Sequence, residues 1–279
     1  MKKSLSIALI LVYLSALAYP VAVFADEPQV QPDEIIQENP DYLPNKQDAQ
    51  FAERSQVGEK WTFKKIPHDF AFSYKEAFWG WGALGFAAGA GLSAGLYPLD
   101  DNVKNALGPN EIFGSTGNTV IGWALSPYTY AGVSIIVWGV GAGTKHPKLA
   151  LTGRALTEAI GFAMVMTAAG KFAFRRTRPD GGSLSFPSAH ATAAFAASGV
   201  LTVFYGWKGG LASYPLAFLV SLSRLDEQKH WLSDVVMGAT IGTVIGVGTA
   251  KLLKKENPNL FIFPEVRRDE VSLNVLYRF

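Results

Sequence analysis

The chain has 279 residues, of which 49% are hydrophobic and 17% charged, and a formal net charge of +2. That length suits one large helical domain or two small ones, and the small net charge, with no arginine-rich tract or RNA-type aromatic motif, excludes a nucleic-acid binder. Cysteine is absent, which removes disulfide frameworks, thiolate metal sites and cysteine nucleophiles together.

The first residues pair Lys2 and Lys3 with an apolar core and a small-residue site ending at Ala25, so residues 1–25 read as a secretory signal peptide and the protein as exported to a bacterial cell envelope. Residues 26–76 are polar and punctuated by Pro28, Pro32, Pro40 and Pro44, which predicts an extended or disordered lead-in. From Ala77 the character changes. Six apolar runs follow, over residues 77–99, 113–144, 159–170, 191–207, 209–223 and 235–250, all rich in Gly and Ala. The first two are long enough to cross a bilayer, and the other four are short for it. The expected fold is an all-α, six-helix bundle over residues 77–255, closely packed and membrane-associated or membrane-embedded. In the tail, residues 256–279, two β-prone runs flank the turn-like Arg267–Glu270, which suggests a short C-terminal β-hairpin.

Polar residues gather at three junctions between these runs. Lys171, Arg175, Arg176 and Arg178 close the third helix ahead of Pro179. Pro187, Ser188, Ala189 and His190 open the fourth, with Pro and Ser suited to a helix start. The segment Ser223–Asp234 then carries Arg224, Asp226, Glu227, Lys229, His230 and Asp234 between two apolar helices.

Taken jointly, Lys171 with Arg178–Pro179, then Pro187–Ser188–x–His190, then Ser223–Arg224 with His230 and Asp234, resemble the three-part signature of the type 2 phosphatidic acid phosphatase superfamily. That superfamily includes bacterial acid phosphatases, lipid phosphatases and vanadium haloperoxidases. One position departs from its usual pattern, with Ala189 in place of a glycine. The resemblance implies phosphate binding by Lys171, Arg178, Ser188, Ala189 and Arg224. It also implies His230 as the nucleophile forming a phosphohistidine, His190 as the proton donor to the leaving oxygen, and Asp234 as the residue orienting His230.

The residue types suit that chemistry. Phosphoryl transfer spreads charge over equatorial oxygens, which fixed cations and a helix N-terminus stabilise. Arg178 and Arg224 offer planar forks and Lys171 a point charge. His230 and Asp234 stand four apart, which on a helix would place them on one face. No metal or cofactor is implied: His68 and His146 lack partners at ligand spacing, and Asp100–Asp101 reads as a solvated loop or helix cap. Arg176 reads as slightly more suited to solvent than to lipid headgroups, and Asp226, Glu227 and Lys229 as rim residues.

The expected function is therefore a metal-independent phosphatase acting on a phosphorylated lipid, an isoprenyl phosphate or another small phosphate ester at the membrane. A soluble-type periplasmic acid phosphatase and a vanadate-dependent haloperoxidase keep the same pocket. A serine hydrolase would leave three cations unexplained and lacks a G-x-S-x-G elbow. A non-enzymatic helical envelope protein would have no use for His230 and Asp234. Basic residues opposite the catalytic loops (Lys145, Lys148, Arg154, Lys208, Lys251, Lys254 and Lys255) predict an active site facing the periplasm. A cleaved signal followed by six full spans would place it in the cytosol instead, which the four short runs argue against.

Overall fold

Gly238, Gly242 and Gly246 recur every four residues, and a Cβ at Gly242 or Gly246 would overlap the backbone carbonyl of Thr192 or Ala196. Two helices therefore touch backbone to backbone along this stripe, as small residues permit in apolar bundles. The computed structural model describes residues 66–108, 111–144, 146–256, 260–267 and 270–277. Within them the helices are α1 (Ile66–Phe78), α2 (Trp81–Leu96), α3 (Asp100–Leu107), α4 (Gly114–Ala124), α5 (Pro127–Gly143), α6 (Pro147–Phe174), α7 (Ala189–Asp226) and α8 (Leu232–Glu256). The glycine stripe lies on α8, the central helix, which packs against α1, α2, α6 and α7.

The six apolar runs all fall in this helical framework. The long α7 folds back on itself at Gly206, whose φ of 62° and ψ of −154° are non-helical. The reversal brings Phe195 against Tyr214, with ring centroids 5.8 Å apart, and returns the chain to the end where α7 began. The run over 159–170 belongs to a helix of 28 residues. Arg154 and Glu158 shorten the run in sequence, yet they pair at 2.7 Å one turn apart within the helix. Two stretches expected to be short are thus long. Among the described residues, Pro147–Phe174 and Leu232–Lys254 join Gly114–Gly143 as three helical stretches long and apolar enough to cross a membrane, whereas the run over 77–99, expected to be long enough, is divided between α1 and α2 and is not one of them.

The outer surface fits that setting. Leu84, Val133, Ile135, Ile136 and Val140 are exposed, as are Trp79, Trp81, Trp123 and Tyr128. A surface this apolar is suited to lipid contact. The core between the helices is built largely from Ala and Val, with Ala155, Ala159, Ala193, Ala196, Val200, Val220 and Ala250 fully buried.

The expected extended lead-in is corrected at its end, where α1 is helical. Phe70, Tyr74 and Phe78 form an aromatic ladder, Phe70 meets Phe162 edge-on at 5.0 Å, and the Tyr74 hydroxyl donates to the Phe162 carbonyl at 2.9 Å. The signal segment and the rest of the lead-in lie outside the described residues. In the tail, β1 (Leu260–Arg267) pairs antiparallel with β2 (Glu270–Tyr277), with Val266 opposite Val271 and Arg267 opposite Glu270.

Candidate active site

The C-terminal end of α6, both ends of α7 and the start of α8 meet at one end of the bundle. Lys171 lies in the last turn of α6, and its ammonium donates to the Leu184 carbonyl at 2.6 Å. The helix stops at Arg175, whose φ of 45° turns the chain out. In the loop that follows, the Arg178 amide donates to the Gly182 carbonyl at 2.7 Å and the Ser185 amide to the Arg176 carbonyl at 2.8 Å. The loop ends where the Ser188 amide donates to the Asp234 carbonyl at 3.0 Å, tying the start of α7 to α8.

Ser188 is the N-cap of α7, but its side chain makes no capping bond. Ala189 stands where the resembled signature has a glycine, a residue that would permit a left-handed backbone, and this position does not need that freedom. It is the first residue of α7 and has no positive φ, so a methyl group is accommodated.

At the other end of α7, Arg224 is buried under α4. Its Nη2 donates to the Asn118 carbonyl at 2.8 Å, and Nη1 lies 2.7 Å from Glu227 Oε2. Asp226, expected at the rim, is fully buried instead. It accepts from the amides of Ile112 and Phe113 and from Asn118 Nδ2 at 2.8, 3.1 and 2.9 Å, which anchors the entry to α4 over the site. Lys229 does sit at the rim, paired with Asp180 at 2.9 Å.

His230 precedes α8 instead of lying on it, which corrects the same-face expectation. Asp234 is in the first turn of α8 and reaches back, accepting from the Trp231 amide at 3.0 Å. Its Oδ2 lies 3.6 Å from His230 Nδ1, an ion-pair approach longer than a hydrogen bond. Ser185 Oγ also donates to Oδ2. The far nitrogen of His230, Nε2, is left to the cleft.

These residues line a cleft of about 310 Å³, with Lys171, Arg178, Arg224 and Lys229 as its cations and His190 and His230 as its imidazoles. Ala189 lines it as well, and Pro127, Tyr128 and Met164 form an apolar side. Arg178 Nε, Arg224 Nε and Ser188 Oγ are buried and have no hydrogen-bond partner. Buried donors are normally satisfied. Three orphaned donors beside a cationic cleft match the demand of an oxyanion with several acceptors. Among the described residues, no group of three His, Asp or Glu side chains is placed to hold a metal ion.

Burial is the largest influence on both imidazoles. It pushes His230 below its ordinary value, and Lys171 and Arg178 add to this against the opposing pull of Asp234. His190 is pushed down to about 4 by burial, with Arg224 and His230 adding to the shift. Its Nε2 lies 3.2 Å from the Gly122 carbonyl.

The structure thus brings together all eight residues singled out in the sequence: Lys171, Arg178, Ser188, Ala189, Arg224, His190, His230 and Asp234. It adds others that sequence reasoning missed. Arg176, expected in solvent, donates from Nη1 to Asp234 Oδ1 and from Nη2 to Asp100 Oδ2, both at 2.7 Å. Asp100 is itself buried and accepts from the Ser233 amide at 2.9 Å. Gly122 and Asn118 of α4 roof the Arg224 guanidinium.

Residues 152–258 match the PAP2 superfamily, a span holding every member of the cleft cluster except its apolar rim at Pro127 and Tyr128. The chain carries a PAP2 superfamily domain. Its sequence is 37% identical over 97 residues to a lipid A 1-phosphatase of Porphyromonas gingivalis, covering 33% of this chain and 22% of that protein. It is 32% identical over 113 residues to a lipid A 4'-phosphatase of Helicobacter pylori, covering 36% of this chain and 55% of that protein. The chain therefore spans about a fifth and about half of the lengths of these two curated relatives. No solved structure matches it significantly. The PAP2 domain supplies the cations, imidazoles and carboxylate of the cleft and Met164 of its apolar side, while α4 and α5, outside the matched span, supply its roof and the apolar residues Pro127 and Tyr128.

Proposed function

We propose that the protein is a PAP2-type phosphatase that removes phosphate from a lipid monoester at the membrane through a phosphohistidine on His230. The observation that carries this reading is the set of buried, unpartnered donors at Arg178, Arg224 and Ser188 beside the paired imidazoles. Phosphate oxygens would take up those donors, with Lys171 supplying further charge. The Nε2 of His230 attacks phosphorus, so that a P–N bond forms as the ester P–O bond breaks. Asp234 holds Nδ1 and stabilises the positive imidazole that results. His190, which takes up a proton once the charge of the bound phosphate offsets the burial and the cations that depress its pKa, gives that proton to the leaving alkoxide. Water then attacks the phosphohistidine, His190 takes its proton, the P–N bond breaks and inorganic phosphate leaves.

A lipid substrate is supported by the apolar cleft side at Pro127, Tyr128 and Met164, by the exposed apolar helices and by the two relatives, named for lipid A phosphates. We place the cleft on the periplasmic face, because Lys148, Arg154, Lys251 and Lys254 lie toward the other end of the bundle. Purified full-length protein should release phosphate from lipid A or phosphatidic acid in mixed micelles with EDTA present, and vanadate should inhibit it. His230→Ala should lose this activity. Retention of full activity by His230→Ala, or rescue of an EDTA-inactivated enzyme by a divalent ion, would overturn the reading.

A further inference from the structure

We infer that Arg176 and Asp100 are positioning residues that aim the Asp234 carboxylate at His230 and set how much of its charge the imidazole feels. This rests on the phosphohistidine reading of the same site. Asp234 has three close donors, and two of them, Ser185 Oγ and the Trp231 amide, are neutral groups on Oδ2. The ionised one is Arg176, which holds Oδ1 from the far side of the carboxylate at 2.7 Å. Engaging Oδ1 fixes the rotamer, so Oδ2 is the oxygen presented to His230 Nδ1.

Left as a simple pair, Arg176 would neutralise Asp234 and deprive the imidazolium of its counter-charge. Asp100 prevents this. Its Oδ2 takes the other arm of the guanidinium at 2.7 Å, and Ser233 braces it through the amide on Oδ1 and the hydroxyl on Oδ2. The guanidinium is also sandwiched, 4.7 Å from the Tyr97 ring centroid and 5.2 Å from that of Trp231. Two carboxylates thus share one cation, and a net negative charge remains for the histidine. The path runs from α3 through the loop after α6 to α8, and no local spacing in the sequence joins these residues.

The other charges facing His230 are Lys171 of α6, Arg178 of the following loop, His190 and Arg224 at the two ends of α7, and Lys229 beside it. None changes in the variants below. The two positioning residues carry opposite charge, so removing them shifts His230 in opposite directions. Arg176→Gln frees Asp234 and raises the His230 pKa, while Asp100→Asn leaves Asp234 to Arg176 alone and lowers it, each by about half a unit or more. The double variant titrates between the two.

The test is an NMR titration of isotope-labelled histidine in the full chain in detergent, with the His230 signal assigned by its loss in His230→Gln. Opposite shifts in the two single variants support the proposal, and shifts of the same sign, or none, overturn it. Should Arg176→Gln not fold, Arg176→Lys keeps the charge without the fork. It then leaves the titration near wild type but lowers kcat at unchanged KM, and unchanged kcat overturns the proposal. A wild-type protein that releases no phosphate would defeat the phosphatase reading, whereas the titrations would still decide this one.

Discussion

The Nε2 of His190 lies 3.2 Å from the carbonyl oxygen of Gly122. A carbonyl can only accept, so Nε2 carries the hydrogen, and Nδ1 is the nitrogen free to exchange a proton with substrate. This orientation fits a proton donor to the leaving oxygen. A leaving group that needs no proton should therefore escape the dependence. His190→Gln should lower phosphate release from an alkyl or lipid phosphate roughly 10²–10⁴-fold, and that from p-nitrophenyl phosphate much less. Steady-state kinetics on the two substrates check this, and equal losses on both would remove His190 from that role.

The same residue gives a pH dependence. Its pKa is depressed from 6.5 to about 4. A group depressed on folding contributes stability that is complete above its unfolded value and is lost as pH falls through the folded one. The contribution of His190 should thus be present above 6.5 and disappear toward 4, and His230, shifted in the same direction, adds to it. The melting temperature of the wild type should drop across that window, and His190→Gln should show a smaller drop. Thermal unfolding in detergent between pH 7 and 4 measures it.

Gly122 matters for a steric reason. A Cβ there would lie 2.8 Å from Cζ of Arg224 and 2.9 Å from its Nη1. The guanidinium is held by Asn118 and Glu227 and has little room to yield. Gly122→Ala should displace it and weaken one charged hydrogen bond to phosphate, costing about 1.5–3 kcal/mol, or roughly 10- to 100-fold in affinity. Vanadate inhibition constants read this directly, with helical content unchanged by circular dichroism.

The orientation of the cleft is open to labelling. Ser183 is exposed in the loop between α6 and α7, and the chain has no cysteine of its own. Ser183→Cys should react with a membrane-impermeant maleimide in intact spheroplasts. Labelling only after lysis would put the cleft on the cytosolic side.

Much of the site was legible because its signals are local. Lys171 and Arg178 bracket one helix end, Ser188 and His190 share one helix start, and His230 lies just ahead of the helix turn that holds Asp234, so fixed spacings survive in the sequence. The partners of Asp234 and Arg224 were not. Arg176 meets Asp100 across 76 positions and Asp234 across 58, and Arg224 meets Asn118 across 106, contacts that only the packed bundle creates. The helix α1 did leave a trace, since Phe70, Tyr74 and Phe78 recur every four residues, but the prolines upstream masked it. The six apolar runs were readable as helix, whereas their true lengths were not, because paired charges such as Arg154 and Glu158 interrupt a helix in composition without interrupting it in space.

The proposed mechanism requires a covalent phosphohistidine on His230. Full-length protein mixed with a lipid phosphate, quenched within one turnover under alkaline conditions and digested for mass spectrometry, should carry phosphate on the peptide containing His230. That label should be lost in acid and absent from His230→Ala. Phosphate found on Ser188, or turnover with no phosphorylated peptide at any quench time, would contradict it.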